Sequence, residues 1–171
     1  MKTPPDLKRH VIDVPDFPRP GILFRDISPL LRRHLHATLD ALEALVGAAE
    51  WEGIDVLGGI ESRGFILGAA LAERRDKGFV LIRKKGKLPP PVVDVSYELE
   101  YGTAILEMQR GGGRLLIIDD VLATGGTLRA AAECSRRAGY DVRGLLVLID
   151  LKLVPDFRWG KLHARAAIQY G

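Results

Sequence analysis

Residues 115–128, LLIIDDVLATGGTL, set an apolar run, two acids, a Gly/Thr turn and the start of a helical pattern end to end. Residues 115–118 are unbroken apolar sequence, the pattern of a parallel strand buried on both faces, so Asp119 and Asp120 stand where the chain leaves the core. Open α/β sheets bind ligands at such carboxyl edges, and two carboxylates there can accept hydrogen bonds from vicinal sugar hydroxyls about 3 Å away. Ala123, Thr124, Gly125, Gly126 and Thr127 then lead into the apolar-periodic stretch 128–138. Turn N–H groups and the positive end of a helix therefore converge on one concavity, and a phosphate fits it. Gly125 and Gly126 permit positive φ and close backbone approach, and the threonine hydroxyls add donors. The plainer alternative, in which Asp120 and Thr124 only cap a helix, calls for one polar residue rather than the whole set. The segment reads as a phosphosugar cradle.

A second constellation has the same layout. Gly58-Gly59-Ile60-Glu61-Ser62-Arg63-Gly64 lies at the exit of a buried strand and the start of a helix, where backbone amides can meet a pyrophosphate and Arg63 supplies a planar fork for it. Taken alone, an ordinary strand-to-helix turn with a solvated arginine competes with that reading. Residues 84–102 offer few helix signals and contain Pro89, Pro90 and Pro91 in a row, with charged residues at both ends. Loops longer than about 12–15 residues are usually functional or disordered, and this one is expected to be a lid. Arg83, Lys84 and Lys87 can neutralise a pyrophosphate leaving group, although such a charge run by itself is more often a solvated surface.

The elements that must hold these groups follow from periodicity. After an opening segment to Asp26, residues 29–49 carry Leu31, Leu35, Leu39, Leu42, Leu45 and Val46 on one broad face and predict a single helix, followed by a strand at 55–60. A helix through Phe65, Leu67, Ala69 and Leu71 precedes a strand at 79–83; strand 115–118, helix 126–138 and strand 142–149 come after the central loop. Residues 103–108 alternate loosely and end at Gly111-Gly112-Gly113, which suggests an added antiparallel strand. Repeated βαβ order implies an α/β protein, a parallel sheet flanked by helices on both faces.

Composition sets the outer bounds. With 171 residues and 47% hydrophobic content the chain is expected to form one domain with a sizeable core, and its apolar runs are too short for a membrane span. Lys2, Pro4, Pro5 and Asp6 leave no continuous apolar segment for a secretory signal, so the cytoplasm is the expected location. A net charge of +3 is spread along the chain and interleaved with acids, which suits a polyanionic small substrate better than nucleic acid or a membrane surface. Cys134, the single cysteine, lies among alanines and reads as a small core residue rather than a nucleophile. No zinc, dinucleotide or Walker pattern occurs, and His34 and His36 fall on different helix faces; all four histidines read as non-catalytic.

Segment 115–128 resembles the PRPP (phosphoribosyl pyrophosphate) motif of the type I phosphoribosyltransferases. Further stretches narrow the likeness to the adenine-using members of that family: FPRPGILFRDI at 17–27, Glu61-Ser62-Arg63-Gly64-Phe65, RKKGKLP at 83–89 and YELEYG at 97–102. The resemblance covers about residues 16–128 and fades beyond. It implies the type I fold, a single domain over 1–171 with a flexible lid at about 84–102 and a small hood from the N- and C-terminal segments. It implies purine salvage, with the 5-phosphoribosyl group passing from PRPP to adenine to give AMP and pyrophosphate through an oxocarbenium-like displacement. Site residues carry over position by position. Ala123, Thr124, Gly125, Gly126 and Thr127 hold the 5′-phosphate; Asp119 and Asp120 hold the ribose; Glu61, Ser62, Arg63, Arg83, Lys84 and Lys87 meet pyrophosphate. Leu23, Phe24, Arg25, Val121, Leu122 and Tyr101 surround adenine, and Glu100 and Arg63 are the catalytic candidates. Mg²⁺ is implied as a companion of PRPP with no dedicated protein cage, a homodimer is implied, and the family's non-proline cis peptide falls at Glu61-Ser62. Another acceptor, such as xanthine or a pyrimidine, remains an alternative. A regulator that senses PRPP is another, set back by the shortness of the segment before Asp16 and by the presence of Glu100 and Arg63.

Overall fold

Short apolar runs become the middle of one twisted sheet. The computed structural model describes residues 6–99 and 102–171. In chain order a 3₁₀ turn, Leu7–His10, precedes β1 (Ile12–Pro15) and β2 (Leu23–Asp26), then α1 (Ser28–Arg33), α2 (Leu35–Glu43) and α3 (Ala48–Glu52). There follow β3 (Val56–Ile60), α4 (Arg63–Arg74), β4 (Gly78–Lys84), β5 (Val92–Leu99), β6 (Gly102–Gln109) and β7 (Arg114–Leu122). The chain closes with α5 (Gly126–Ala138), β8 (Asp141–Asp150), β9 (Arg158–Trp159) and β10 (Leu162–Gln169). The sheet runs β5-β6-β4-β3-β7-β8-β10-β9, with β4, β3, β7, β8 and β10 parallel and the flanking strands antiparallel.

Side-chain alternation divides the core between the two faces. Leu115 and Ile117 of β7 join Cys134 and the alanines of α5 on one side, while Leu116 and Ile118 join α1 to α4 on the other. Cys134 is fully buried, in keeping with its expected core role. Helix α5 has the predicted limits because Gly125 and Gly139 both adopt left-handed φ, at 83° and 106°, and stop the helix at each end.

Several expectations need correction. The single helix predicted over 29–49 is three short ones, broken first at His34 (φ −132°), whose ring stacks on His10 with centroids 3.9 Å apart. The two acids expected beyond the strand lie within it: β7 continues to Leu122 because β8 supplies a ladder partner as far as Leu122↔Asp150. From Val92 onward, the described residues of the stretch expected to be a loop lid belong to the antiparallel pair β5 and β6, in continuous register from Val92↔Gln109 to Leu99↔Gly102. The strands β1, β2, β9 and β10 were not anticipated.

Close packing at the carboxyl edge depends on small residues. A Cβ on Gly59 of β3 would lie 2.6 Å from the Gly64 carbonyl oxygen and 2.8 Å from the Phe79 ring. Gly59→Ala is therefore expected to destabilise the fold by about 1–3 kcal/mol, visible as a lower urea midpoint at unchanged slope. A wild-type midpoint would show that α4 is not pressed against β3 as described. Among the described residues no helix is long and apolar enough to cross a membrane.

Candidate active site

The carboxyl ends of β3, β4 and β7 bring three turns together. The turn after β7 runs through Ala123 and Thr124 into Gly125 and the first residues of α5, Gly126 and Thr127. The N-cap residue of that helix is Gly125, which has no side chain, and among the described residues no side chain caps the first turn, so its N–H groups face the concavity. The α5 dipole adds positive potential at the same point.

Asp119 and Asp120 precede this turn, each 7% exposed. The Asp119 carboxylate accepts the Asp120 backbone N–H at 2.8 Å, and Asp120 forms a short ion pair with the Nε of Arg63. Burial, followed by the neighbouring Asp120 carboxylate, pushes the Asp119 carboxyl well above the ordinary range. Arg63 also lies over the Phe24 ring, 4.8 Å from its centroid. The guanidinium thus joins the strand-end acids to the hood.

Glu61, Ser62 and Arg63 form the turn from β3 into α4, and the peptide Glu61–Ser62 is cis, as the family resemblance implied. Glu61 faces the cationic turn after β4. Its carboxylate pairs with Lys87, lies 3.3 Å from Arg83 Nε and accepts the Lys84 backbone N–H at 3.1 Å. Burial pushes the Glu61 carboxyl up, but these donors outweigh it and hold the group below its ordinary value. Glu61, Arg83 and Lys87 therefore engage one another, while the Lys84 side chain is exposed.

The remaining cleft, about 430 Å³, is lined by Gly21, Ile22, Leu23, Phe24, Arg25, Arg63, Val121, Ala123, Leu151 and Leu153. Such a volume is in the range of small-molecule sites. Among the described residues strand β2 pairs only with β1, so its other edge carries backbone donors and acceptors with no described strand partner, and residues 23–25 border the cleft. The Arg25 side chain turns away to pair with Asp13 and lies 4.1 Å over the Tyr170 ring, which ties the β1–β2 ribbon to the C-terminal segment as a hood. Val121 lines the cleft as expected of an apolar wall. Leu122 does not: it is buried in the core beside Leu128. Leu151 and Leu153 were not anticipated. Leu151 had a detectable signal, since it follows a buried strand at the same carboxyl edge as Asp119 and Asp120. Glu100 and Tyr101 lie outside the described residues.

This geometry has known counterparts. Residues 36–152 match the phosphoribosyl transferase domain. An adenine phosphoribosyltransferase of Hydrogenovibrio crunogenus is 51% identical over 99% of each chain. The chain belongs to the adenine phosphoribosyltransferase family. Among solved members of that family, the enzyme of Rhodothermus marinus superposes with a TM-score of 0.82 at 44% identity, covering 95% of this chain and 96% of its own. The enzyme of Saccharomyces cerevisiae, solved with an imino-altritol bisphosphate and adenine, gives 0.84 at 33% identity, over 95% and 96%. The mostly parallel sheet flanked by helices is the type I phosphoribosyltransferase fold.

Proposed function

We propose that the protein transfers the 5-phosphoribosyl group from PRPP to adenine, releasing pyrophosphate and forming AMP. The observation that carries this reading is the convergence of a glycine-led helix start, a buried acid pair and a cationic turn beside a cleft bordered by the β2 strand edge.

Each part has a task in the displacement. Amides of residues 123–127 hold the 5′-phosphate, and Asp119 and Asp120 receive the ribose hydroxyls. Arg63, Arg83, Lys84 and Lys87 stabilise charge developing on the departing pyrophosphate, which lowers the barrier only if they are already in place. Backbone groups of Leu23, Phe24 and Arg25 read the base. A carbonyl on the β2 edge accepts from a 6-amino group, whereas a 6-oxo purine would set acceptor against acceptor; a lost designed hydrogen bond can discriminate by about 10⁴-fold. Glu100, by its place in the resemblance, contacts or protonates the purine and Tyr101 closes over it.

Mg²⁺ belongs to this proposal as a partner of PRPP. Asp119 and Asp120, the buried carboxylates on the ribose side, are oxygen donors of the kind a hard cation takes, and substrate oxygens and water would complete its shell. When bound, the ion would neutralise diphosphate charge. The same reading takes the chain as one phosphoribosyltransferase domain and a cytoplasmic homodimer, with sedimentation as the check on assembly.

Incubating the protein with PRPP, Mg²⁺ and either adenine, hypoxanthine, guanine or xanthine tests the reaction directly. AMP and pyrophosphate are expected from adenine, with the 6-oxo purines slower by orders of magnitude. Equal turnover of hypoxanthine would overturn the assignment of the base edge, and PRPP binding without consumption of any base would overturn the enzyme reading.

A further inference from the structure

The turn that carries Lys84 and Lys87 is held from behind by a residue with no role in the site as described above. Glu107 lies on β6 and is 3% exposed. Its carboxylate accepts three successive backbone N–H groups: Gly86 at 3.0 Å, Lys87 at 2.7 Å and Leu88 at 2.7 Å. Consecutive amides converging on one point form an anion-binding concavity, here filled by an anion of the chain itself. Burial pushes the Glu107 carboxyl up; the three amides, with Lys85 beyond them, outweigh burial and leave it below its ordinary value.

Strand pairing does not explain why a carboxylate stands there. In the ladders Glu107 is opposite Arg83 on β4 and Asp94 on β5, a position that any strand-forming side chain would satisfy. Backbone contact between the turn and β6 ends where the Lys85 N–H meets the Ile105 carbonyl at 3.0 Å, and residues 86–88 then rest on the Glu107 side chain. Those residues set where the cations point. Lys87 projects to Glu61, and Arg83, which also reaches Glu61, donates a second bond to the Lys87 carbonyl at 3.4 Å. Fixing the Lys87 backbone therefore places one cation directly and braces another.

We propose that Glu107 is a positioning residue for the diphosphate end of the substrate, holding the amides of residues 86–88 so that Lys87 and Arg83 are poised to exchange the Glu61 carboxylate for a diphosphate. The inference rests on the PRPP reading and names a residue that acts through the cations without touching the reacting atoms.

A double-mutant cycle with Glu107→Gln and Lys87→Ala tests it. The glutamine amide keeps the shape but turns an NH₂ donor toward backbone donors. KM for PRPP and the inhibition constant of pyrophosphate are expected to rise about tenfold in Glu107→Gln and kcat to fall severalfold, since the same cations act on the departing diphosphate, with KM for adenine within about twofold. In the Lys87→Ala background the same change should have a clearly smaller effect, carried by Arg83 alone through the residue 87 carbonyl, because the directly positioned cation is gone. An equal factor in both backgrounds, or a fall in kcat with KM for PRPP unchanged, would reduce Glu107 to a structural role and overturn the proposal. Should Glu107→Gln fail to fold, Glu107→Asp decides: it keeps the charge but withdraws it by one methylene, and must raise KM for PRPP severalfold while sparing adenine. Wild-type protein that makes no AMP would sink the reaction reading alone. Calorimetric titration with Mg-pyrophosphate would then still compare wild type with the variants, and unchanged affinity in Glu107→Gln would sink the positioning role.

Discussion

Replacing Arg63 by methionine is expected to lower kcat/KM for PRPP by about 10²–10³-fold, the cost of removing a preorganised donor from a developing anion. The magnitude follows from where the guanidinium sits. It pairs with Asp120 of the buried acid pair and covers Phe24 of the hood, and it opens α4 at the turn expected to meet pyrophosphate. Methionine keeps much of the length and the contact with Phe24 but leaves Asp120 without its cation next to Asp119. Two adjoining carboxylates with no guanidinium between them and the substrate would repel the incoming diphosphate. Arg63→Lys separates charge from geometry. A lysine restores a positive point charge but not the planar fork, so it should recover only part of the loss. Steady-state rates with both substrates varied would check this. Full recovery in Arg63→Lys would mean that charge alone matters, and a loss below tenfold in Arg63→Met would remove Arg63 from charge stabilisation.

The features legible in the sequence were those written in local chemistry. Helix α5 was placed to the residue because its apolar period is bounded by two glycines that the backbone uses at positive φ. The geometry of the turn after β7 and of the Glu61–Arg63 turn was legible for a related reason: strand, polar turn and helix start adjoin in the chain, so their meeting at a carboxyl edge needs no distant information. Features set by distant partners were not legible. The broad leucine face of residues 29–49 is continuous, yet the helix breaks at His34, where the chain packs against His10 of the opening turn. The extension of β7 past Ile118 depends on β8, which begins beyond the intervening α5. Strand β10, LHARAAIQ, has small and charged residues with weak alternation and takes its place by pairing parallel to β8. Glu107 showed only as one position in a loosely alternating run, because its partners Gly86, Lys87 and Leu88 lie 19 to 21 residues earlier in the chain, in the turn after β4.

The second large effect is expected at Gly125, and it separates the two reasons a glycine is there. Its φ of 83° costs an L side chain about 1–2 kcal/mol, and a Cβ would lie 2.3 Å and 2.4 Å from two carbons of the Phe157 ring. Phe157 is 5% exposed and belongs to the core cluster that includes α5, so the ring has little room to move and the turn must shift instead. A displacement near 1 Å at a phosphate site can cost about 10²-fold, because the amides no longer converge. Gly125→Ala is therefore expected to raise KM for PRPP by about that factor and to lower stability by about 1–3 kcal/mol. Adding Phe157→Leu removes the clash but not the backbone strain. The double variant should regain part of the stability in denaturant unfolding while its KM for PRPP stays well above wild type. A Gly125→Ala protein with wild-type KM for PRPP would mean that the turn after β7 does not hold the 5′-phosphate, and full recovery in the double variant would assign the glycine to space alone rather than to conformation.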